Sequence, residues 1–145
     1  MPAEAGPSRP FALVFLAGAY LFFLLLAASN YGEPFPFMGR FYQGRAGEWF
    51  VFADSIVSLY LVIGILKRQR LTLWLLIAYN LLDICNAGVN LALLPLGEYA
   101  RLAGVAIPEA ELLFNTIAAA VLLMLLNLYL LRNRRHFDND SPYLF

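Results

Sequence analysis

Four stretches of the chain are almost unbroken runs of apolar residues, and polar, glycine and proline residues gather between them. The first lies between Arg9 and Glu33 and reads FALVFLAGAYLFFLLLAAS; the second, EWFVFADSIVSLYLVIGIL, is interrupted by Asp54. The third runs from Leu71 to about Pro95 and the fourth from Glu111 to Leu131. About 20 apolar residues rising 1.5 Å each cross a hydrocarbon core of about 30 Å, so each run is long enough to span a bilayer as a helix. The expected architecture is all-α: an integral membrane bundle of four transmembrane helices over about 11–29, 48–66, 71–95 and 109–131. Residues 1–132 form one domain, followed by a polar tail, 133–145.

The segments between the runs carry their own signals. Pro34, Pro36 and four glycines forbid a regular helix through NYGEPFPFMGRFYQGRAGEWF, and its many aromatic rings suit the headgroup layer or a lid over the bundle mouth. Pro108 followed by Glu109 and Glu111 is a start signal for the fourth helix, since proline suits the first turn and carboxylates favour the positive end of the helix dipole.

Within the third run, YNLLDICNAGVN breaks the apolar pattern. At 100° per residue, Asp83, Asn86 and Asn90 fall in about a 60° arc, with Tyr79 close by and Asn80 at the edge of the same side. A carboxylate facing lipid costs several kcal/mol, so such a stripe turns toward other helices or a wet cavity. Depth extends the pattern to neighbouring helices. Antiparallel spans bring Asp54 and Ser58 of the second helix, and Glu111 and Asn115 of the fourth, into the same leaflet as Asp83, Asn86 and Asn90. The opposite leaflet is nearly bare.

Composition agrees with the pattern. The chain is 61% hydrophobic and 14% charged with a mean hydropathy of +0.68, far more apolar than a soluble domain. Zero formal net charge removes any argument for nucleic-acid binding, which needs a basic face. The charges are segregated by position. Four spans put both ends and the middle loop on one side, which then holds Arg9, Lys67, Arg68, Arg70, Arg132, Arg134 and Arg135; only Arg40, Arg45 and Arg101 lie opposite. The basic side is expected to be cytoplasmic, in a multi-pass protein of the cell (plasma) membrane. Arg9, the first apolar run and Ala27-Ala28-Ser29 also resemble a secretory signal with its cleavage site, and cleavage would leave the other three orientations unchanged.

Much chemistry is excluded. A single cysteine, Cys85, cannot form an internal disulfide, and the lone histidine, His136, sits in the basic tail. No phosphate-cradling glycine loop, serine elbow or Cys-His pair is present, so no catalytic residue and no cofactor is assigned. The three carboxylates have no basic partner inside a span; Arg101 is the possible charge partner, by reaching down along apolar surface. Without it, Asp83 needs a proton, a metal ion or an ammonium-bearing ligand, and which metal, if any, is unspecified. Asn and Asp can also serve only as interhelical glue, at about 0.6–2 kcal/mol each.

These residues point to a small membrane binding protein or an accessory subunit with an outward-facing acidic and carboxamide pocket for a cation or small polar ligand. Its ligand set is Asp54, Ser58, Asp83, Asn86, Asn90, Glu111 and Asn115. The second reading is a proton- or cation-coupled carrier, which would need a homo-oligomer because one chain shows no internal repeat. An integral-membrane lipid-modifying enzyme ranks third. The expected partners are the bilayer and, through small-residue helix faces such as Ala118-Ala119-Ala120, other membrane subunits or a second copy.

Overall fold

The computed structural model describes residues 10–143; Arg9 and the last two residues of the tail lie outside them. The elements run in the order α1 (Phe11–Ser29), β1 (Phe35–Phe37), β2 (Arg40–Tyr42), α2 (Gly44–Leu66), α3 (Arg70–Leu93), α4 (Leu96–Ala103) and α5 (Glu109–Arg132), closed by a single 3-10 turn, Arg134–His136. Four helices, α1, α2, α3 and α5, are long and apolar enough to cross a membrane. The all-helical expectation is modified by one element: a three-residue antiparallel hairpin pairing Phe35 with Tyr42 and Phe37 with Arg40.

Helix bounds differ from the hydropathy runs where charge obscures them. α2 begins at Gly44, four residues before the apolar run, because residues 44–47 lie beyond the run where helical backbone need not be apolar. α3 stops at Leu93, since Pro95 holds the preceding backbone extended. Pro108 caps α5, as its sequence suggests, and the Glu111 amide donates to its carbonyl at 3.1 Å. The short helix α4 had no hydrophobic run to announce it.

The core occupies one end of the bundle. Leu13, Leu16, Ala17 and Tyr20 of α1 recur at helical spacing and pack with Leu61, Val62 and Ile65 of α2, Leu73 and Leu76 of α3, and Leu126 and Leu130 of α5. All of these positions lie in the half of each helix nearest the α2–α3 turn. There α2 and α3 approach so closely that a Cβ on Gly64 would collide with the Thr72 side chain.

The tail seals this end. Arg70 N–H donates to Asn139 O at 2.9 Å and Asn139 N–H to Arg68 O at 3.0 Å, while Asn139 Nδ2 donates to Lys67 O. Arg68 pairs with Asp138 and Arg70 with Asp140, and Phe137 inserts into the core at 2% exposure. The buried Gln69 donates to Tyr143 O and accepts from Thr72 Oγ1. The carbonyls left open where α2 ends are thus capped by the tail, which is why a polar C-terminal segment is ordered.

Away from the tail the helices splay, and the hairpin fills part of the gap. Met38 and Gly39 have φ of 46° and 79°, the paired positive values of a two-residue type I′ turn. Around the hairpin, the rings of Phe35, Phe37 and Tyr42 surround Phe50 of α2 at centroid distances of 5.3, 5.1 and 4.5 Å, and Phe41 meets Tyr99 of α4 edge-on at 5.0 Å. The aromatic loop therefore folds onto the bundle; Tyr31 and Trp49 are the rings that stay exposed, as an interfacial belt would require.

Candidate functional site

The polar stripe of α3 separates into three parts with different partners. Asn80, at 1% exposure, lies in the core, where it accepts from Tyr20 Oη at 2.8 Å and donates to Asn127 Oδ1 at 2.8 Å. One carboxamide thus joins α1, α3 and α5. Asn127 Nδ2 is buried without a hydrogen-bond partner among the described residues.

Asn86 and Asn90 receive the hairpin. In a two-residue hairpin the turn amides point away from the strands and find no partner within it. Met38 N–H donates to Asn86 Oδ1 and Gly39 N–H to Asn90 Oδ1, each at 2.8 Å. Both side-chain amides donate back to Pro36 O, at 3.3 and 3.2 Å, and Asn90 Nδ2 also reaches Asn86 Oδ1. Two asparagines one turn apart satisfy the exposed groups of one turn. This accounts for both residues without a ligand.

Asp83 is left, and with it Asp54. Asp54 stands twelve residues before the end of α2 at Leu66, and Asp83 thirteen after the start of α3 at Arg70, so both lie about 18–20 Å from the α2–α3 turn. Asp83 feels the charge of Asp54, and the Tyr20 phenol feels that of Asp83. Both are half-buried, and neither pairs with a basic side chain or a hydrogen-bond donor among the described residues.

Asp54 opens onto a cavity of about 350 Å³ at the hairpin end, walled by Ala27, Asn30, Glu33, Pro34, Phe35 and Pro36. Asn30, Glu33, Pro34 and Pro36 are shared with a second cavity of about 480 Å³ that runs on to Tyr99 and Leu102 of α4. The two adjoin as a vestibule reaching from α4 to Asp54. Asn30 Nδ2 donates to Leu26 O, closing the last turn of α1 and leaving the side-chain oxygen as an acceptor. Burial pushes the Tyr99 phenol above its ordinary value. The vestibule is acidic: Asp54 and Glu33 line it, and Arg101, offered by the sequence as a charge partner, instead faces Glu98 at 3.5 Å.

The other expected ligands lie elsewhere. Ser58 is buried one turn from Asp54, toward the α2–α3 turn, and lines neither cavity. Glu111 and Asn115 are exposed on α5. Among the described residues no group of three or more His, Cys, Asp or Glu side chains could hold a metal ion. Sequence reasoning used Glu33 only as a boundary and passed over Asn30. Their signal was local: two polar residues directly after a span, at the level where the next segment must turn back.

No family model matches this chain, and no curated protein or solved structure matches it. The reading of function therefore rests on this geometry.

Proposed function

We propose that this is a multi-pass membrane binding protein whose acidic vestibule takes a small cation or an ammonium-bearing polar ligand from the outer side. One observation carries the reading: Asp54 lines a cavity of about 350 Å³ together with Glu33 and Asn30, its charge is felt by Asp83, and among the described residues no basic side chain pairs with any of the three carboxylates. Cavities of this size suit small ligands, and unpaired carboxylates at membrane depth are relieved by positive charge. The cavity is lined by two carboxylates and one carboxamide oxygen, a set that favours an ammonium group or a monovalent ion over a tightly caged divalent metal.

Lys67, Arg68, Arg70, Arg132, Arg134 and Arg135 all belong to the end sealed by the tail, while Arg40, Arg45 and Arg101 belong to the hairpin end. That asymmetry supports cytoplasmic termini in the cell membrane and a vestibule open to the outside.

The test is thermal unfolding of the full chain in detergent against sodium, calcium and methylammonium chlorides, with mass action raising the midpoint as a bound cation is titrated. At least one cation should give a concentration-dependent rise that Asp54→Asn abolishes and Glu33→Gln weakens. Equal responses from the wild type and Asp54→Asn overturn the reading.

A specific feature of α5 favours work as a subunit or as a homo-oligomeric carrier. Its two exposed stripes differ in kind. Phe114, Ile117, Val121, Met124 and Leu128 are all large and apolar, as a lipid face requires. Glu111, Asn115, Ala118, Leu122 and Leu125, spaced alternately four and three apart as in a helix-pairing repeat, open with two polar residues and a small one before the two leucines. Asparagine on such a face finds its hydrogen bond on a neighbouring helix, and alanine allows close approach. In a parallel pair of copies, Asn115 meets its own equivalent. Sedimentation in detergent should give an assembly larger than the monomer that Asn115→Leu dissociates; a monomeric wild type refutes self-association.

A further inference from the structure

A separate opening of about 390 Å³ lies at the hairpin end, lined by Tyr31, Arg45, Glu48, Trp49 and Phe52. It shares no residue with the acidic vestibule. Arg45 and Glu48 stand three residues apart on α2, which sets their Cβ atoms about 5–6 Å apart on one face. Opposite charges at that spacing commonly pair. Here they do not: neither makes an ion pair or side-chain hydrogen bond with the other or with any other described residue. One positive and one negative group thus border the same space, each with its bonding capacity unused.

The rest of the wall is aromatic. Trp49 is 68% and Tyr31 60% exposed, and Phe52 meets Trp49 edge-on at 5.7 Å on the side nearer the bilayer centre. Aromatic faces attract ammonium groups, quaternary ones included, and a guanidinium forks onto phosphate oxygens. A purely anionic ligand would meet Glu48, and a purely cationic one Arg45. The first turns of α2 and the segment after α1 also lie where Trp and Tyr mark the headgroup layer. We propose that this opening binds the zwitterionic headgroup of a phospholipid, its phosphate on Arg45 and its ammonium on Glu48 beside the Trp49 and Tyr31 rings, with Phe52 under the glycerol end.

The chain has two tryptophans, Trp49 and Trp74, and Trp74 lies near the start of α3, so Trp74→Phe makes Trp49 the sole fluorescent reporter. The full chain with that change, in maltoside micelles, is titrated with short-chain phosphatidylcholine, short-chain phosphatidylglycerol and free phosphocholine. The expected result is saturable quenching by phosphatidylcholine, at least tenfold weaker for phosphatidylglycerol and for free phosphocholine. Arg45→Gln and Glu48→Gln should each weaken the phosphatidylcholine response at least tenfold with unchanged unfolding midpoints, and Asp54→Asn should leave it intact. Equal affinity for phosphatidylglycerol overturns zwitterion recognition. Equal affinity for free phosphocholine overturns the lipid as its source, and unaffected Arg45 and Glu48 variants overturn the site.

Discussion

The Gly39 amide donates to the Asn90 side-chain oxygen at 2.8 Å across a sequence separation of 51 residues, and this bond fixes the hairpin on the bundle. Asn90 is 5% exposed, so its loss opens a gap under the hairpin and leaves the part-buried Gly39 amide without its partner. Asn90→Ala should lower stability by about 1–3 kcal/mol, and Asn86→Ala, at a more open position, by less. Hydrogen exchange should show faster exchange at Met38 and Gly39 in both variants. Unchanged protection there would mean that the hairpin is held by its aromatic contacts alone.

Gly39 itself is constrained twice. Its φ of 79° disfavours a side chain, and an added Cβ would lie 2.8 Å from Leu93 Cδ1. Gly39→Ala should therefore destabilise by at least about 1 kcal/mol through strain and displacement of the turn, whereas Gly18→Ala, where a Cβ has open space, should be neutral or stabilising. Thermal unfolding of the two variants in one detergent makes the comparison.

Much of this arrangement was readable before the fold was known, because hydrophobic run length is set by bilayer thickness and buried polar groups must be satisfied. The four helices, the stripe on α3, and the common level of Asp54 and Asp83 follow from those two constraints. The partners do not. Nothing in the spacing of Asn86 and Asn90 distinguishes a ligand from a backbone turn; the hairpin that answers them is three residues per strand, too short for an alternating pattern. Glu111 and Asn115 fall in the same leaflet as Asp83, but depth says nothing about which way a helix is rotated, and α5 turns them outward. The tail's order depends on pairings such as Arg70 with Asn139, which leave no periodic trace.

The Tyr20–Asn80–Asn127 chain separates structural glue from spare polarity. Asn80 serves both neighbours, so Asn80→Leu strands the Tyr20 hydroxyl and the Asn127 oxygen together. Asn127→Leu removes one bond and also an amide hydrogen that had no partner. The expected order of destabilisation is Asn80→Leu above Tyr20→Phe, with Asn127→Leu smallest, and about 0.6–2 kcal/mol per lost bond. Denaturant titration in mixed micelles ranks the three, and an Asn127→Leu loss as large as that of Asn80→Leu would show that the unpaired amide is in fact bonded in solution.

At the tail end, two kinds of contact compete to explain why residues 133–143 are ordered. The Arg68–Asp138 pair is 35% and 57% exposed and, in water, worth about 0.2–1 kcal/mol. Asn139 by contrast exchanges two backbone bonds with Arg68 and Arg70 and caps Lys67 O through its side chain, while Phe137 is 2% exposed in the core. Burial therefore outweighs charge. Phe137→Ala should cost about 3–5 kcal/mol and release the tail to protease, whereas Asp138→Asn should cost under about 1 kcal/mol and leave it protected. High salt should mimic Asp138→Asn and not Phe137→Ala. A tail that detaches in 1 M salt would reverse this ranking and make the ion pairs the principal latch.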